Sequence, residues 1–318
     1  MAKLQSTEIV GVANRPATIC ANTMCIWFDT TNLKTVISYC GYGGFTGAWA
    51  TSGALIIARR ELAGAGTQNE GLVMGGILAA TGNFDVCTEE YNGTSWSAGG
   101  ALITARYNLA GAGIQNAGLA MGGRTNVNLS CTEEYNGTSW AAGGALSTAR
   151  RELAGAGTQN EGLAFGGGSC TEEYNGTSWS IGGVLSTART NLAGAGTQNE
   201  ALAMGGFSNV NLSCTEEYNG TSWAAGGVLI TARYSLAGAG TQNLGLAMGG
   251  YTSLSCTEEY DGTSWSVGGA LSTARRQLTG AGSQNVGLAV GGFAGGTINA
   301  TVSCTEEYSK IGIIDSIQ

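Results

Sequence analysis

Histidine is absent from this chain of 318 residues, and a single proline, Pro16, stands against 55 glycines. The first absence removes the commonest general base and the commonest metal ligand at once, so no metal or cofactor site and no catalytic residue is expected. Charged residues make up only 11% of the chain, and Lys and Arg form no clustered stripe, which speaks against a nucleic-acid partner. No run approaches the roughly 18 apolar residues that a membrane helix requires, so no transmembrane segment or membrane insertion is expected. The N-terminus carries Lys3 but no apolar core region, so no signal peptide is read. Glycine in such amount, without a period of three, can mark low complexity. The Leu, Ala, Trp and Tyr set among the glycines argue for a folded chain, because they offer apolar area to bury.

What is present is a repeat. The stretch CTEEYNGTSW begins at Cys87, returns at Cys131, Cys170 and Cys214, returns at Cys256 with Asp261 in place of Asn, and is cut to CTEEY at Cys304. The net charge of −8 mostly reflects its paired glutamates. Internal repeats decide a fold before any other signal. The repeat tryptophans, Trp49, Trp96, Trp140, Trp179, Trp223 and Trp265, are spaced by 47, 44, 39, 44 and 42 residues. Between each Gly-Gly and the next Cys lie 10, 7, 2, 7 and 5 residues, and the difference is 37 every time. All length variation therefore sits in one loop of an otherwise fixed unit.

Each unit reads as four short strands: LAGAG (Leu109 to Gly113), GLAMGG (Gly118 to Gly123), CTEEY from Cys131, and a segment around Trp140. Asn-Gly between the third and fourth is the preferred pair for a two-residue type I′ hairpin, and Asn-Gly-Thr is also a glycosylation acceptor pattern. Four strands in about 40–45 residues with a Trp is the signature of a propeller blade. Helical repeats fit poorly, since each interior glycine costs a helix about 1 kcal/mol. The first, second and third strands each occur six times, the last set near the C-terminus without a fourth. The segment around Trp49 is a fourth strand that precedes any first one. The expected fold is all-β: a six-bladed propeller of four-stranded antiparallel blades, the last closed by the Trp49 strand, with edges hidden by closure.

These residues resemble kelch repeats. The likeness rests on Gly122-Gly123 after an apolar strand, Glu133 two residues before Tyr135, then Trp140 and Arg150, with equivalents in every unit, over about residues 45–308. The small LAGAG strand departs from the bulkier aliphatics of most kelch repeats. The near-identical style of the units also resembles kelch-like proteins of bacteriophages. That likeness implies a virion component, surface or tail-associated, assembled in the host cytoplasm. The resemblance specifies a kelch-type propeller far more than a function.

Two rings recur at fixed register: Arg59, Arg106, Arg150, Arg189, Arg233 and Arg275, and Glu89, Glu133, Glu172, Glu216, Glu258 and Glu306. Six of each suggest one structural pair per blade or between blades; a catalytic role would need the ring broken at one place. On a strand, side chains alternate, so Cys131, Glu133 and Tyr135 share a face, with Tyr and Trp large enough to fill the wedge between blades. Equivalent cysteines on neighbouring blades are too far apart for the roughly 7 Å that a disulfide allows. They are expected as free, buried thiols acting as small hydrophobes, in a chain assembled in a reducing compartment. Cys20 and Cys25, spaced by four with no histidine near, do not make a zinc site.

Function is expected where the scaffold varies. The loops between second and third strands, 77–86, 124–130, 168–169, 207–213, 251–255 and 293–303, change in length and sequence and share one face with the blade-to-blade connections. Several carry an aromatic or aliphatic residue amid Asn, Ser and Thr, namely Phe84, Val127, Phe207, Tyr251 and Phe293, a composition suited to protein or sugar recognition. The alternative is that they pack only on one another. In the connections, the residue after each ring arginine changes: Arg60, Tyr107, Arg151, Thr190, Tyr234 and Arg276; Tyr107 and Tyr234 join the binding candidates. Residues 1–44 lie outside the repeat and read as two or three strands, either a cap on the propeller of residues 45–318 or an attachment segment to other virion proteins. The reading is a non-enzymatic binding or structural protein whose variable face meets a host surface protein or glycan. The competing reading, a sialidase- or oxidase-like propeller enzyme, is disfavoured by the lack of His and of a nonrepeating Arg cluster. A host-cell adaptor like eukaryotic kelch proteins would carry an adaptor domain before the propeller, and none is read.

Overall fold

The computed structural model describes residues 23–29, 34–40, 47–251, 253–295 and 300–310. The chain divides into two compact units, Met1–Gly47 with Lys310–Gln318, and Ala48–Ser309. In the first, Thr23–Asp29 and Lys34–Cys40 pair antiparallel, Thr23 opposite Cys40 and Asp29 opposite Lys34; their β-branched and aromatic content suits a strand. The rest of the attachment segment read at residues 1–44 lies outside the described residues.

The unit Ala48–Ser309 is a β-propeller of six four-stranded antiparallel sheets. Blade one runs Ala63–Gly66, Gly71–Met74, Thr88–Tyr91 and Trp96–Ala98 from axis to rim. Blade two runs Ala110–Ile114, Ala117–Met121, Thr132–Tyr135 and Trp140–Ala142. Blades three, four and five begin at Leu153–Gly157, Ala193–Gly196 and Ala237–Gly240. Blade six orders Thr279–Gly282, Val286–Val290, Thr305–Ser309 and, outermost, Ala48–Ser52. Its outer strand comes from the other end of the sequence, with Trp49 opposite Tyr308. The ring is thereby closed by strand pairing, and the last sheet lacks an unfinished edge.

Apolar clusters lie between blades. One joins Ala110, Leu119 and Met121 of blade two to Leu153, Ala164 and Tyr174 of blade three. Each such Leu, Met or Tyr is buried, and burying a side chain of that size contributes about 1.5–3 kcal/mol. The small inner strand is a packing requirement: a Cβ on Gly155 would stand 2.6 Å from the Gly111 carbonyl oxygen of the neighbouring blade. A bulkier aliphatic there would push the blades apart. The Gly-Gly that ends each second strand turns through positive φ, 58° at Gly122 and 98° at Gly123, a conformation glycine adopts without penalty.

The Asn-Gly turn differs from expectation. Tyr135 pairs with Trp140, leaving four residues, Asn136 to Ser139, in the connection. The Asn136 side-chain oxygen accepts from the backbone N–H of Thr138 at 3.0 Å and Ser139 at 2.9 Å. Asn acts by bonding its own turn, and Gly137 supplies the positive φ of 85°. A two-residue hairpin would have left the Trp out of register with the Tyr it packs against.

Candidate functional site: the loop face

The loops between second and third strands share one face with the blade-to-blade connections, because successive strands run antiparallel. The repeated arginines hold this face. Arg106 extends from the connection into blade two, fully buried, and its Nη2 lies 2.8 Å from Glu133 Oε1. Its Nη1 donates to the carbonyl oxygens of Gly122 at 3.1 Å and Cys131 at 2.9 Å. Those two carbonyls flank the variable loop, so one guanidinium closes the loop's base whatever the loop's length. The Glu133 carboxylate also accepts from the backbone N–H of Ile103 at 2.7 Å and Thr104 at 3.2 Å. The same pair recurs as Arg59–Glu89, Arg150–Glu172, Arg189–Glu216, Arg233–Glu258 and Arg275–Glu306, at 2.8 to 3.1 Å. Burial lowers the pKa of Arg106, with Cys131 and Glu133 acting against it. Blade one adds a second carboxylate, Asp85, 3.2 Å from Arg59.

The cysteines do not pack as buried hydrophobes. Cys170 is exposed and the other five repeat cysteines are half-buried, all free. Each sits just before its third strand, where its carbonyl is the arginine's acceptor. In three blades the sulfur accepts from the same guanidinium, as Cys131 does at 2.9 Å. Cys87 instead sits beside Asp85, and burial together with that carboxylate pushes its thiol up to about 11.

Two further rings join blade to blade, and the sequence reading missed both. Every third-strand tyrosine donates its hydroxyl to the second glutamate of the preceding blade, as Tyr135 does to Glu90 at 2.5 Å and Tyr218 to Glu173 at 2.6 Å. Every glutamine of the inner turn, such as Gln159, reaches back to two carbonyls of the preceding blade, Gly118 at 3.1 Å and Tyr135 at 2.6 Å. The repeated TQN triplet was the available signal.

In four blades the residue after the ring arginine pairs with the first residue of the variable loop: Arg60 with Ile77, Tyr107 with Arg124, Thr190 with Phe207, Arg276 with Phe293. These short ladders bring most of the candidate residues together. Phe207 packs on Tyr234 with centroids 5.1 Å apart, and Tyr234 stacks on Tyr251 at 4.6 Å. The Arg276 guanidinium then bridges Tyr251 and Phe293, at 5.2 and 4.7 Å from their rings, and Arg60 covers Phe293 at 5.7 Å. The arc runs across blades four, five and six. Phe84 and Tyr107 form a separate pair at 4.7 Å. Val127 is 64% exposed and belongs to neither group, while Phe207 and Tyr251 are each 37% exposed. The arc fails at blade three, where Gly168 occupies the loop's first position. All the candidates but Val127 thus pack on aromatic or guanidinium neighbours, and Phe207 and Tyr251 stay partly exposed.

Inside the arc lies a third, unanticipated ring at the axis. Glu61, Asn108, Glu152, Asn191, Ser235 and Gln277 all hold positive φ, from 52° to 57°. Each backbone N–H donates to the carbonyl of its counterpart in the preceding blade, at 2.8 to 2.9 Å, which makes a closed circle of six bonds. Their side chains line a cavity of about 80 Å³. Gln277 Nε2 donates to Glu61 Oε1 at 2.5 Å. Burial raises the Glu61 carboxyl above its usual range, and Glu152 raises it further against the pull of Arg60. Beneath, a second cavity of about 150 Å³ is lined by the inner strands' Leu-Ala-Gly backbone, with Thr279 replacing one alanine.

In structure the chain is similar to YjhT, with a TM-score of 0.67 over 80% of this chain and 95% of that one, at 12% identity. At that identity the likeness shows the propeller fold and nothing of function. No family model matches the chain, and no curated protein matches it by sequence.

Proposed function

We propose that this protein is a non-enzymatic binding and structural module, a kelch-type propeller of a bacteriophage virion, that presents its loop face to a protein or glycan partner. The observation that carries this reading is the contrast between faces: a constant frame of repeated ion pairs, and on one face an aromatic and guanidinium arc built from the variable positions. Partly exposed aromatic rings, braced by neighbours, give contact area at low entropic cost. The buried Arg–Glu pairs recur in the same register in all six blades, which supports a structural rather than a catalytic role for them. The free thiols suit assembly in a reducing compartment. Residues 1–44 would dock to other virion proteins.

The test is a double variant, Phe207→Ala with Tyr251→Ala, challenged against an immobilised glycan panel and host-envelope proteins. Unchanged melting with at least tenfold weaker capture supports the loop face; unchanged capture refutes it.

A further inference from the structure

Apart from the second glutamates of the third strands, which lie within the sheets, the exposed charges of the propeller differ in sign between its two faces. On the loop face stand Arg60, Arg124, Arg151 and Arg276, all partly exposed. Two are offset by neighbouring carboxylates, Arg60 by Glu61 at 3.7 Å and Arg151 by Glu152 at 3.1 Å, so the face keeps a positive excess. Three of the four are held in place: Arg60 Nη1 donates to Thr301 Oγ1 at 2.7 Å, Arg151 Nη1 to Asn128 Oδ1 at 3.2 Å and Arg276 Nη1 to Ser253 Oγ at 3.2 Å.

The opposite face is formed by the inner turns and the Asn-Gly turns. It carries Glu70, Glu161, Glu200 and Asp261, all exposed, against one cation, Lys310, which follows the third strand of blade six. That face also exposes apolar residues at the turn positions of the other blades, Ile114 at 56%, Leu244 at 48% and Val286 at 47%. The loop face matches them with Val127, Val210, Phe207 and Tyr251. The outer strands between the two faces, such as Trp140–Ala142 and Trp179–Ile181, bear no charge.

We infer that the loop face of one copy docks on the turn face of a second copy, so that the chain associates head to tail along the propeller axis. This rests on the reading of the loop face as a docking surface and names its partner as a second copy of this chain. The two surfaces are opposite in charge, each carries apolar side chains near its charges, and both are built on the same axis. A contact between two different faces of one molecule is heterologous. It leaves a free face at each end and propagates as a column rather than closing as a dimer. Charge complementarity of this kind sets orientation and encounter rate, and it weakens as salt screens it.

The experiment uses the full chain in sedimentation velocity, with two sets of substitutions. One neutralises the loop face: Arg60→Gln, Arg124→Gln, Arg151→Gln and Arg276→Gln. The other neutralises the turn face: Glu70→Gln, Glu161→Gln, Glu200→Gln and Asp261→Asn. The unsubstituted chain is expected to grow with concentration at low salt and to dissociate by at least tenfold in affinity at high salt. Each variant alone is expected to remain monomeric and to melt cooperatively. An equimolar mixture is expected to stop at dimers, because each variant contributes one intact face. A chain that stays monomeric at low salt, a variant that associates by itself, or a mixture that grows beyond dimers overturns the inference. Glycan or envelope-protein capture that depends on Phe207 and Tyr251 in a monomeric chain would overturn it while leaving the loop-face reading in place.

Discussion

The rings of Trp49 and Tyr308 lie with centroids 4.9 Å apart, and the two residues face one another in the ladder that completes blade six. Trp49 Nε1 also donates to Thr257 Oγ1 of blade five at 3.0 Å. The earliest strand of the propeller is thus packed on its last two blades, and Trp96 of blade one likewise reaches across the seam to Thr305 Oγ1 at 2.9 Å.

Closure should therefore control stability. Removing residues 303–318 strips Thr305–Ser309 from the ladder and takes away interblade partners that include Glu307 for Tyr91, the Tyr308 carbonyl for Gln68 and Thr305 for Trp96. The truncated chain is expected to aggregate or lose cooperative melting, as read by circular dichroism. Trp49→Ala is expected to cost near the lower end of the roughly 3–5 kcal/mol seen for large aromatics in cores, because Trp49 is only partly buried. A soluble truncation that melts like the full chain contradicts closure by this strand.

The two glutamates of one TEEY copy should differ in cost. Glu133 faces a buried guanidinium and two backbone amides, so Glu133→Ala leaves an unpaired buried charge and should cost about 3–5 kcal/mol. Glu134 accepts one tyrosine hydroxyl from blade three and is half-buried, so Glu134→Ala should cost about 1–2 kcal/mol. Urea unfolding of the two variants measures the difference, and equal midpoints would refute the assignment.

High pH should dismantle the blade contacts. Burial, and then the facing glutamate, push Tyr91, Tyr218 and Tyr260 up to about 12, and raise Tyr135 and Tyr174. The unfolded phenol ionises near its ordinary value of about 10. A folded pKa above the unfolded one means that this stabilisation is whole below pH 10 and is lost as pH rises from there through about 12. Phenolate absorbance and ellipticity followed together should show these tyrosines ionising as the fold is lost. Ionisation near the ordinary value with the fold intact would refute the interblade bond.

The inner-turn glutamines should behave as staples. Gln284 is buried and serves the carbonyls of Gly245 at 3.0 Å and Tyr260 at 2.5 Å. Gln284→Ala leaves both acceptors unsatisfied and should cost about 1–3 kcal/mol. Gln284→Glu should be at least as harmful, since a carboxylate cannot donate. Thermal melting of both variants checks this.

Much of the architecture was legible in advance. A constant remainder of 37 residues after the loop length is removed fixed the unit, and counting the copies of each strand fixed six blades and the closing role of Trp49. The Arg and Glu rings were legible for the same reason, since identical register in every copy implies one geometry repeated. The errors were local. Asn-Gly was read by its favoured dipeptide turn, but the Tyr–Trp pairing demanded a longer connection with Asn136 bonding its own turn. The cysteines were read by their hydrophobicity, but their position places the carbonyl under the arginine and leaves the sulfur near the surface.

Sequence by itself determined the period, the strand pattern, the number of blades and the seam, because these follow from spacing along one chain. The tertiary structure alone decided which side chains meet across blades. Tyr135 finds Glu90, Gln159 finds Gly118, and six polar residues from six connections encircle the axis. Spacing cannot report such meetings: each joins residues from different repeats, and their distance is set by how far one blade is rotated from the next when apolar wedges fill the gap between them.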